Sequence, residues 1–366
     1  MVITYGGGER WSGAFTTFAP RNVFFGQKSS LDRYNDEELY KKFRFTRLHI
    51  LQLTDEIAAA VELSNRRGAL SPVLQVLLAL RFYATGSFHD VCGELIGVHQ
   101  TTASRTIRRV TQAILRTLPQ KIRLPNAEES QLTKEKFFQR HHIPNVLGCI
   151  DGTQIPIQSP GTARNEHEYV NRKGYHSINV QVICDADLIF FNIVAKWPGS
   201  VHDARILRES PFYDAMESNQ PPLRGHLLGD SGYMLRDWLM TPVLNPDTPE
   251  ERIYNELHRQ ARCTVERSIG VAKRRWHCLR TGLRVSPERA SEIIVVCFIL
   301  HNRARFLALP DPDDEEDDTD DNGADENHGA DENLVERRYN MQAQERARVA
   351  AGKVARNRLI AFLAHQ

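Results

Sequence analysis

The apolar positions of this chain switch from helical to strand-like period and back, and the switches divide it. Between residues 35 and 63, Leu48, Leu51, Ile57 and Val61 recur at helical spacing. Ser71-Pro72 reads as an N-cap followed by proline at the first helical position, opening a helix to about residue 84. A short helix over 87–95, a turn at Gly97 and a third helix from Gln100 follow. The segment 119–145 carries Pro119, Pro125 and Pro144 with mixed charge and predicts a connector holding one short helix. The period then shortens, giving strands at 146–157, 177–185 and 188–197, with Asp185-Ala186-Asp187 as a tight turn between the last two. A helix is expected at 202–209, a fourth strand at 227–229, and a loop carrying Pro242, Pro246 and Pro249. A long helix ending near Trp276 and another over 287–307, capped by Ser286, close the pattern.

Three antiparallel strands followed by helix, strand and helix begin a ribonuclease H-like fold. The expected fold class is therefore α/β: a mixed sheet flanked by helices, preceded by an all-α region of helix-turn-helix type. The corresponding divisions are a flexible lead-in (1–34), a helical region (35–118), the connector (119–145), the catalytic core (146–308), an acidic disordered tract (309–333) and a basic helical tail without an evident partner (334–366).

Composition adds two constraints. The chain has no run of about 18 apolar residues, so a membrane partner is not expected. Its first residues lack the basic flank and apolar stretch of a secretory signal. Its six cysteines are scattered without a C-x-x-C pair, which argues for reduced thiols and a reducing compartment rather than zinc or disulfides. The formal net charge of +1 is misleading, because residues 311–333 hold 13 Asp/Glu and no Lys/Arg. Residues 1–310 carry 40 basic against 31 acidic groups, as expected of a body that meets a polyanion.

Three carboxylates stand out. Asp151 closes the apolar run Asn145-Val-Leu-Gly-Cys-Ile, Asp230 closes His226-Leu-Leu-Gly, and Glu266 lies in the basic helix around Arg262 and Lys273. Neighbouring strands bring Asp151 and Asp230 close, at a strand spacing of about 4.8 Å. Two buried strand-end carboxylates facing a helical Glu make a hard, oxygen-only site for Mg²⁺ or Mn²⁺, suited to cutting a phosphodiester. Asp203, opening a helix after Trp197-Pro-Gly-Ser, is a fourth candidate, particularly if two ions bind. Each has a plainer alternative: turn sequences at Asp151-Gly152 and Asp230-Ser-Gly, a surface ion pair at Glu266, and helix-dipole placement at Asp203.

Arg259, Arg262, Glu266 and Lys273 fall on one helical face, with Arg274 and Arg275 extending the cationic end. Arg172 and Lys173 precede the second strand, and phosphate contacts from such groups would be salt-sensitive and sequence-blind. In the helix-turn-helix, Gln100, Thr102, Ser104 and Arg105 would face bases, with Arg108 and Arg109 nearer phosphate. The alternative is a purely structural three-helix cap.

Together these residues resemble the PIF/Harbinger superfamily of DDE transposases, in particular the Harbinger transposase-derived nucleases of animals. The matching stretches are Leu147-Gly-Cys-Ile-Asp151-Gly-Thr, Tyr169-Val-Asn-Arg-Lys-Gly-Tyr-His-Ser-Ile-Asn179, Trp197-Pro-Gly-Ser-Val-His-Asp203, Leu227-Leu-Gly-Asp230-Ser-Gly-Tyr and Val265-Glu266-Arg267. Trp238-Leu-Met-Thr-Pro242 and Ile299-Leu-His-Asn302 are similar too, and the resemblance spans about residues 40–307. It implies carboxylates that bind divalent metal, with catalytic roles for Asp151, Asp230 and Glu266 and a further ligand in Asp203. It also implies DNA as substrate, nuclear location and recruitment by a Myb/SANT-like partner protein; a homo-oligomer is a separate expectation that the resemblance does not supply. A catalytically silent DNA-binding adaptor on the same fold is the alternative.

Overall fold

The computed structural model describes residues 31, 33–61, 69–161, 165–312 and 343–364. The expectations for the lead-in up to residue 30 and for the acidic tract beyond residue 312 lie outside the described residues.

Five strands form one sheet in the order β3-β2-β1-β4-β5. β1 (Val146–Pro156) is central and pairs antiparallel with β2 (Ser177–Cys184), which pairs antiparallel with β3 (Phe190–Pro198). On its other side β1 runs parallel to β4 (His226–Leu228), and β4 runs parallel to β5 (Leu239–Met240). This is the mixed sheet of a ribonuclease H-like core. Because β2 is buried along its whole length, its sequence Ser-Ile-Asn-Val-Gln-Val-Ile-Cys puts two amides, Asn179 and Gln181, inside the protein.

The region before the sheet is helical: α1 (Asp36–Phe43), α2 (Arg47–Ile57), α3 (Pro72–Thr85), α4 (His89–Glu94), α5 (Gln100–Thr117) and α6 (Ala127–His141). The single helix expected over 35–63 is two, because Arg44 takes a left-handed φ of 64° and ends α1. The connector's helix is also longer than expected: α6 has 15 residues, opened by a capping box between Asn126 and Glu129. Arg123 holds Glu129 through both carboxylate oxygens, at 2.7 and 2.6 Å.

After β3 come α7 (Asp203–Arg208), α8 (Pro211–Met216), α9 (Pro249–Arg275), α10 (Cys278–Thr281) and α11 (Pro287–Phe306). Thr248 and Glu251 cap α9 reciprocally and Pro249 fills its first position, so the 27-residue helix starts where its unpaired N–H groups are satisfied. One face of the sheet joins the helices in a continuous core containing Cys149, Val180, Val182, Val265, Trp276 and Phe298. The other face packs Ile150, Ile183, Leu207, Phe212 and Trp238.

The tail, expected to lack a partner, has one. In α12 (Ala343–Leu363), Leu359, Ile360 and Leu363 join the main core. Arg356 donates to the carbonyls of Thr241 and Pro242 at 3.2 and 3.0 Å. Buried Arg236 pairs with Glu217 at 3.1 Å and with Glu345 of α12.

Candidate active site

Asp151 is the sixth of eleven residues of β1 and therefore lies within the strand rather than at its end. It still stands at an edge, because β4 pairs with β1 only as far as Cys149↔Leu228. Asp230 follows two residues beyond β4, in a turn where its Oδ1 accepts the Gly232 N–H at 3.0 Å. The parallel pairing thus carries both acids past the end of the shorter strand, to the same side.

Asp203 opens α7, but its carboxylate is not simply a helix-dipole ornament. Asn179 Nδ2 donates to Asp203 Oδ1 at 2.7 Å and to the Val201 carbonyl at 2.8 Å. A Cβ on Gly152 would fall 2.4 Å from Asp203 Oδ1, so only glycine lets the α7 acid close on β1. Both Asn179 contacts are acceptors, which fixes the amide orientation and leaves its Oδ1 buried without a partner.

Electrostatics tie these acids together. Burial pushes the Asp151 carboxyl up to about 7, Arg262 pulls against it, and Asp230 and Asp203 push further. Burial also raises Asp203, against the Asn179 hydrogen bond and with help from Asp230. The hydroxyl of Tyr233, buried beside all three acids, is held well above its ordinary value, by burial first.

Glu266 does not join this cluster directly. It meets Arg262 one turn earlier on α9, and Arg262 Nη1 donates to Asp151 Oδ2 at 3.0 Å. The guanidinium therefore bridges the strand acid and the helix acid. Among the described residues no group of three or more His, Cys, Asp or Glu is arranged to hold a metal ion. The donor chemistry nevertheless fits a hard divalent cation: three electrostatically coupled carboxylates, two of them with proton affinity raised, and an orphaned amide oxygen beside them.

The predicted basic residues separate into groups. Lys273 donates to the Gln154 carbonyl of β1 at 3.2 Å, on the face that Arg262 uses, and Arg274 is half-buried nearby on the same helix. Arg172 and Lys173 are exposed in a loop pinned by Asn171, whose Oδ1 accepts the Lys173 N–H at 2.9 Å. Arg172 Nη2 lies 2.7 Å from His202 Nδ1, next to Asp203. Arg259 is held by Glu256 on its own helix at 2.7 Å. Arg275 does not extend the cationic end: it is fully buried, donating to Tyr40 at 3.1 Å and to Pro310 at 3.0 Å, and serves to lock α1 against the end of α11.

On α5, Gln100, Thr102, Arg105 and Arg108 are exposed and Ser104 is half-buried, while Ala103, Ile107, Val110 and Ile114 face the core. Arg109, expected near phosphate, instead donates to Gln75 of α3 at 3.0 Å. Asn179, Gln154, His202 and Tyr233 had no assigned role in the sequence. Only Asn179, Tyr233 and His202 lay in family-like stretches that could have flagged them.

A ribonuclease H-like sheet with acids grouped past the end of its parallel pair defines a DDE-type nuclease core. Residues 150–302 match the family described as DDE superfamily endonuclease. The protein named "Putative nuclease HARBI1" from Rattus norvegicus is 35% identical over 277 residues, covering 74% of this chain and 78% of that one. Its Homo sapiens counterpart is 36% identical over the same shares. "Protein ALP1-like" of Arabidopsis thaliana is 29% identical over 300 residues, 77% of this chain and 72% of that one. No solved structure matches. The chain belongs to the family of Harbinger transposase-derived nucleases.

Proposed function

We propose that this chain is a metal-dependent DNA endonuclease of transposase descent, acting in the nucleus. The observation that carries this is the coupling of Asp151, Asp203 and Asp230 at the end of the β1–β4 pair, with burial pushing Asp151 up to about 7. Asp151, Asp203, Asp230 and Glu266 would hold Mg²⁺ or Mn²⁺, two ions in all. When bound, the ions supply Lewis-acid charge at the phosphoryl oxygens and activate the attacking water or hydroxyl.

The chain's own residues do the positioning. Asn179 and Gly152 fix Asp203 against β1, and the end of β4 sets Asp230 beside Asp151. Arg172, Lys173, Lys273 and Arg274 supply phosphate contacts without sequence choice. The exposed face of α5, with Gln100, Thr102, Ser104, Arg105 and Arg108, is the surface for the major groove. Recruitment by a Myb/SANT-like protein and assembly of more than one copy at DNA ends belong to the same reading.

Asp151→Asn should abolish Mg²⁺- or Mn²⁺-dependent nicking of DNA bearing terminal repeats; a variant that nicks at the wild-type rate refutes the assignment. One observation favours a second reading, a silent DNA-binding adaptor: Arg262 already pairs with both Asp151 and Glu266. An adaptor would show no carboxylate-dependent uptake of Mn²⁺ by calorimetry.

A further inference from the structure

We propose that Arg262 is a resident counter-cation: it holds Asp151 and Glu266 in the metal-free protein and swings out toward the DNA backbone when divalent ions take its place. This rests on the metal-dependent reading above.

Arg262 is engaged by acids on two different elements, Asp151 of β1 and Glu266 of α9. Its Nη1 lies 3.0 Å from Asp151 Oδ2, so a cation seated on that oxygen competes with it for the same lone pairs. The charge count points the same way. Asp151, Asp203, Asp230 and Glu266 bring four negative charges when ionised, which two divalent ions balance. A guanidinium retained among them would leave a surplus positive charge in a half-buried site. Arginine does not shed its proton under these conditions, so it can vacate only by moving.

A comparison within the protein shows that it has a way out. Arg275 and Arg236 are 0% and 1% exposed and caged by their partners, as structural arginines are. Arg262 is 21% exposed, and Glu266 beside it is 48% exposed, so rotation about its four side-chain bonds carries the guanidinium to solvent. Lys273 lies three turns further on the same face of α9, so the freed guanidinium would add to the basic charge of that helix. The side chain would then serve both stages, first as a clamp that keeps a buried acid cluster tolerable, then as a phosphate contact available only once the metal is loaded. A positioning residue of this kind couples ion binding to DNA grip.

The test follows the Arg262 Nε–H signal of the full chain, labelled with ¹⁵N-arginine, through a Mg²⁺ titration, with the signal assigned by its loss in Arg262→Gln. The expected result is a shift of this signal and a loss of its exchange protection as Mg²⁺ saturates. In calorimetry with Mn²⁺, Arg262→Gln should bind at least about fivefold more tightly than wild type, the low end of ordinary coupling between sites. An unmoved Arg262 signal, at Mg²⁺ saturation that Asp151→Asn abolishes, overturns displacement and leaves the nuclease reading standing. Equal or weaker Mn²⁺ binding by Arg262→Gln overturns it too. No Asp151-dependent binding in wild type brings down both. If Arg262→Gln fails to fold, Arg262→Lys assigns the signal and the titration of wild type decides alone.

Discussion

Asn179 Nδ2 donates to Asp203 Oδ1 at 2.7 Å, joining the middle of a fully buried strand to the first residue of α7. The bond sets the carboxylate's direction and, through the second donation to Val201, the turn before it. Asn179→Leu should cost about 1–3 kcal/mol in urea denaturation, because a buried carboxylate loses its donor. It should also lower DNA nicking by about 10–100-fold, the usual effect of removing a group that orients a metal-binding acid. Full activity with unchanged stability would remove Asp203 from the site.

Gly152 offers a sharper version of the same test. The added methyl of Gly152→Ala would collide with Asp203 at 2.4 Å, and the carboxylate must move or the strand must bend. We expect a loss of about 1–3 kcal/mol, typical of overpacking, together with nicking reduced as far as in Asn179→Leu. Denaturation midpoints and cleavage rates measured on both variants and their double mutant should prove non-additive, since both act on one side chain.

Two buried imidazoles give the protein a pH dependence away from the acids. Burial pulls His258 from 6.5 to about 4, and its Nε2 lies 3.1 Å from the Met240 carbonyl. Burial likewise pulls His301 from 6.5 to about 3, with Nε2 2.9 Å from the Leu188 carbonyl. The unfolded chain binds these protons as pH falls below about 6.5 and the folded chain refuses them, so each histidine lowers stability by up to about 1.4 kcal/mol per pH unit on descent. Asp185, which burial raises to about 6, acts oppositely, favouring the folded state as pH falls through that range. The comparison that isolates the imidazole is therefore wild type against His258→Gln. Chemical denaturation from pH 7 to 4 should show a flatter profile for the variant, and parallel profiles would contradict the assignment.

The exposed face of α5 makes a prediction about salt. Arg105→Ala and Arg108→Ala should weaken DNA binding, and removing one phosphate-binding guanidinium should reduce the slope of log affinity against log salt by about 1. Arg109→Ala should act instead through stability, because its guanidinium is spent on Gln75. Fluorescence anisotropy across a salt series, alongside thermal melts, distinguishes the two behaviours.

Gly352 tests the tail helix. A Cβ there would lie 2.9–3.0 Å from the backbone of Arg236, so Gly352→Val should undock α12. Exposing Leu359, Ile360 and Leu363 and parting Arg236 from Glu345 should cost several kcal/mol, on the order of 3 or more from apolar burial alone. Limited proteolysis should then cut near α12 first.

Strand order was the most legible part of this chain. The strand-like runs at 146–157, 177–185, 188–197 and 227–229 placed β1 to β4 and hence the two acids. Two-residue β5 and six-residue α8 were too short to leave a periodic signal. The break between α1 and α2 falls at Arg44, a left-handed residue without a neighbouring glycine or proline to announce it. Arg274 and Arg275 read alike in sequence, yet one is half-buried and the other wholly inside, because a helical step of about 100° decides which meets Tyr40. Asn179 lay in a family-like stretch, but its role was not legible: an amide within a strand looks like a weak strand former until its partner on α7 is in view.

The docking of α12 sets an order on how this protein comes into being. The sheet, the acids and the basic face are all encoded before residue 312, but Arg236 and the carbonyls just past β5 find their last partners only when residues 345 to 363 have left the ribosome. Chains emerge N-terminal end first, so in the nascent nuclease core Arg236 stays one carboxylate short until Glu345 of α12 has followed. A chain cut between residues 312 and 343 would hold every catalytic candidate and still lack α12, with its carboxylate for Arg236 and its donor to the Thr241 carbonyl.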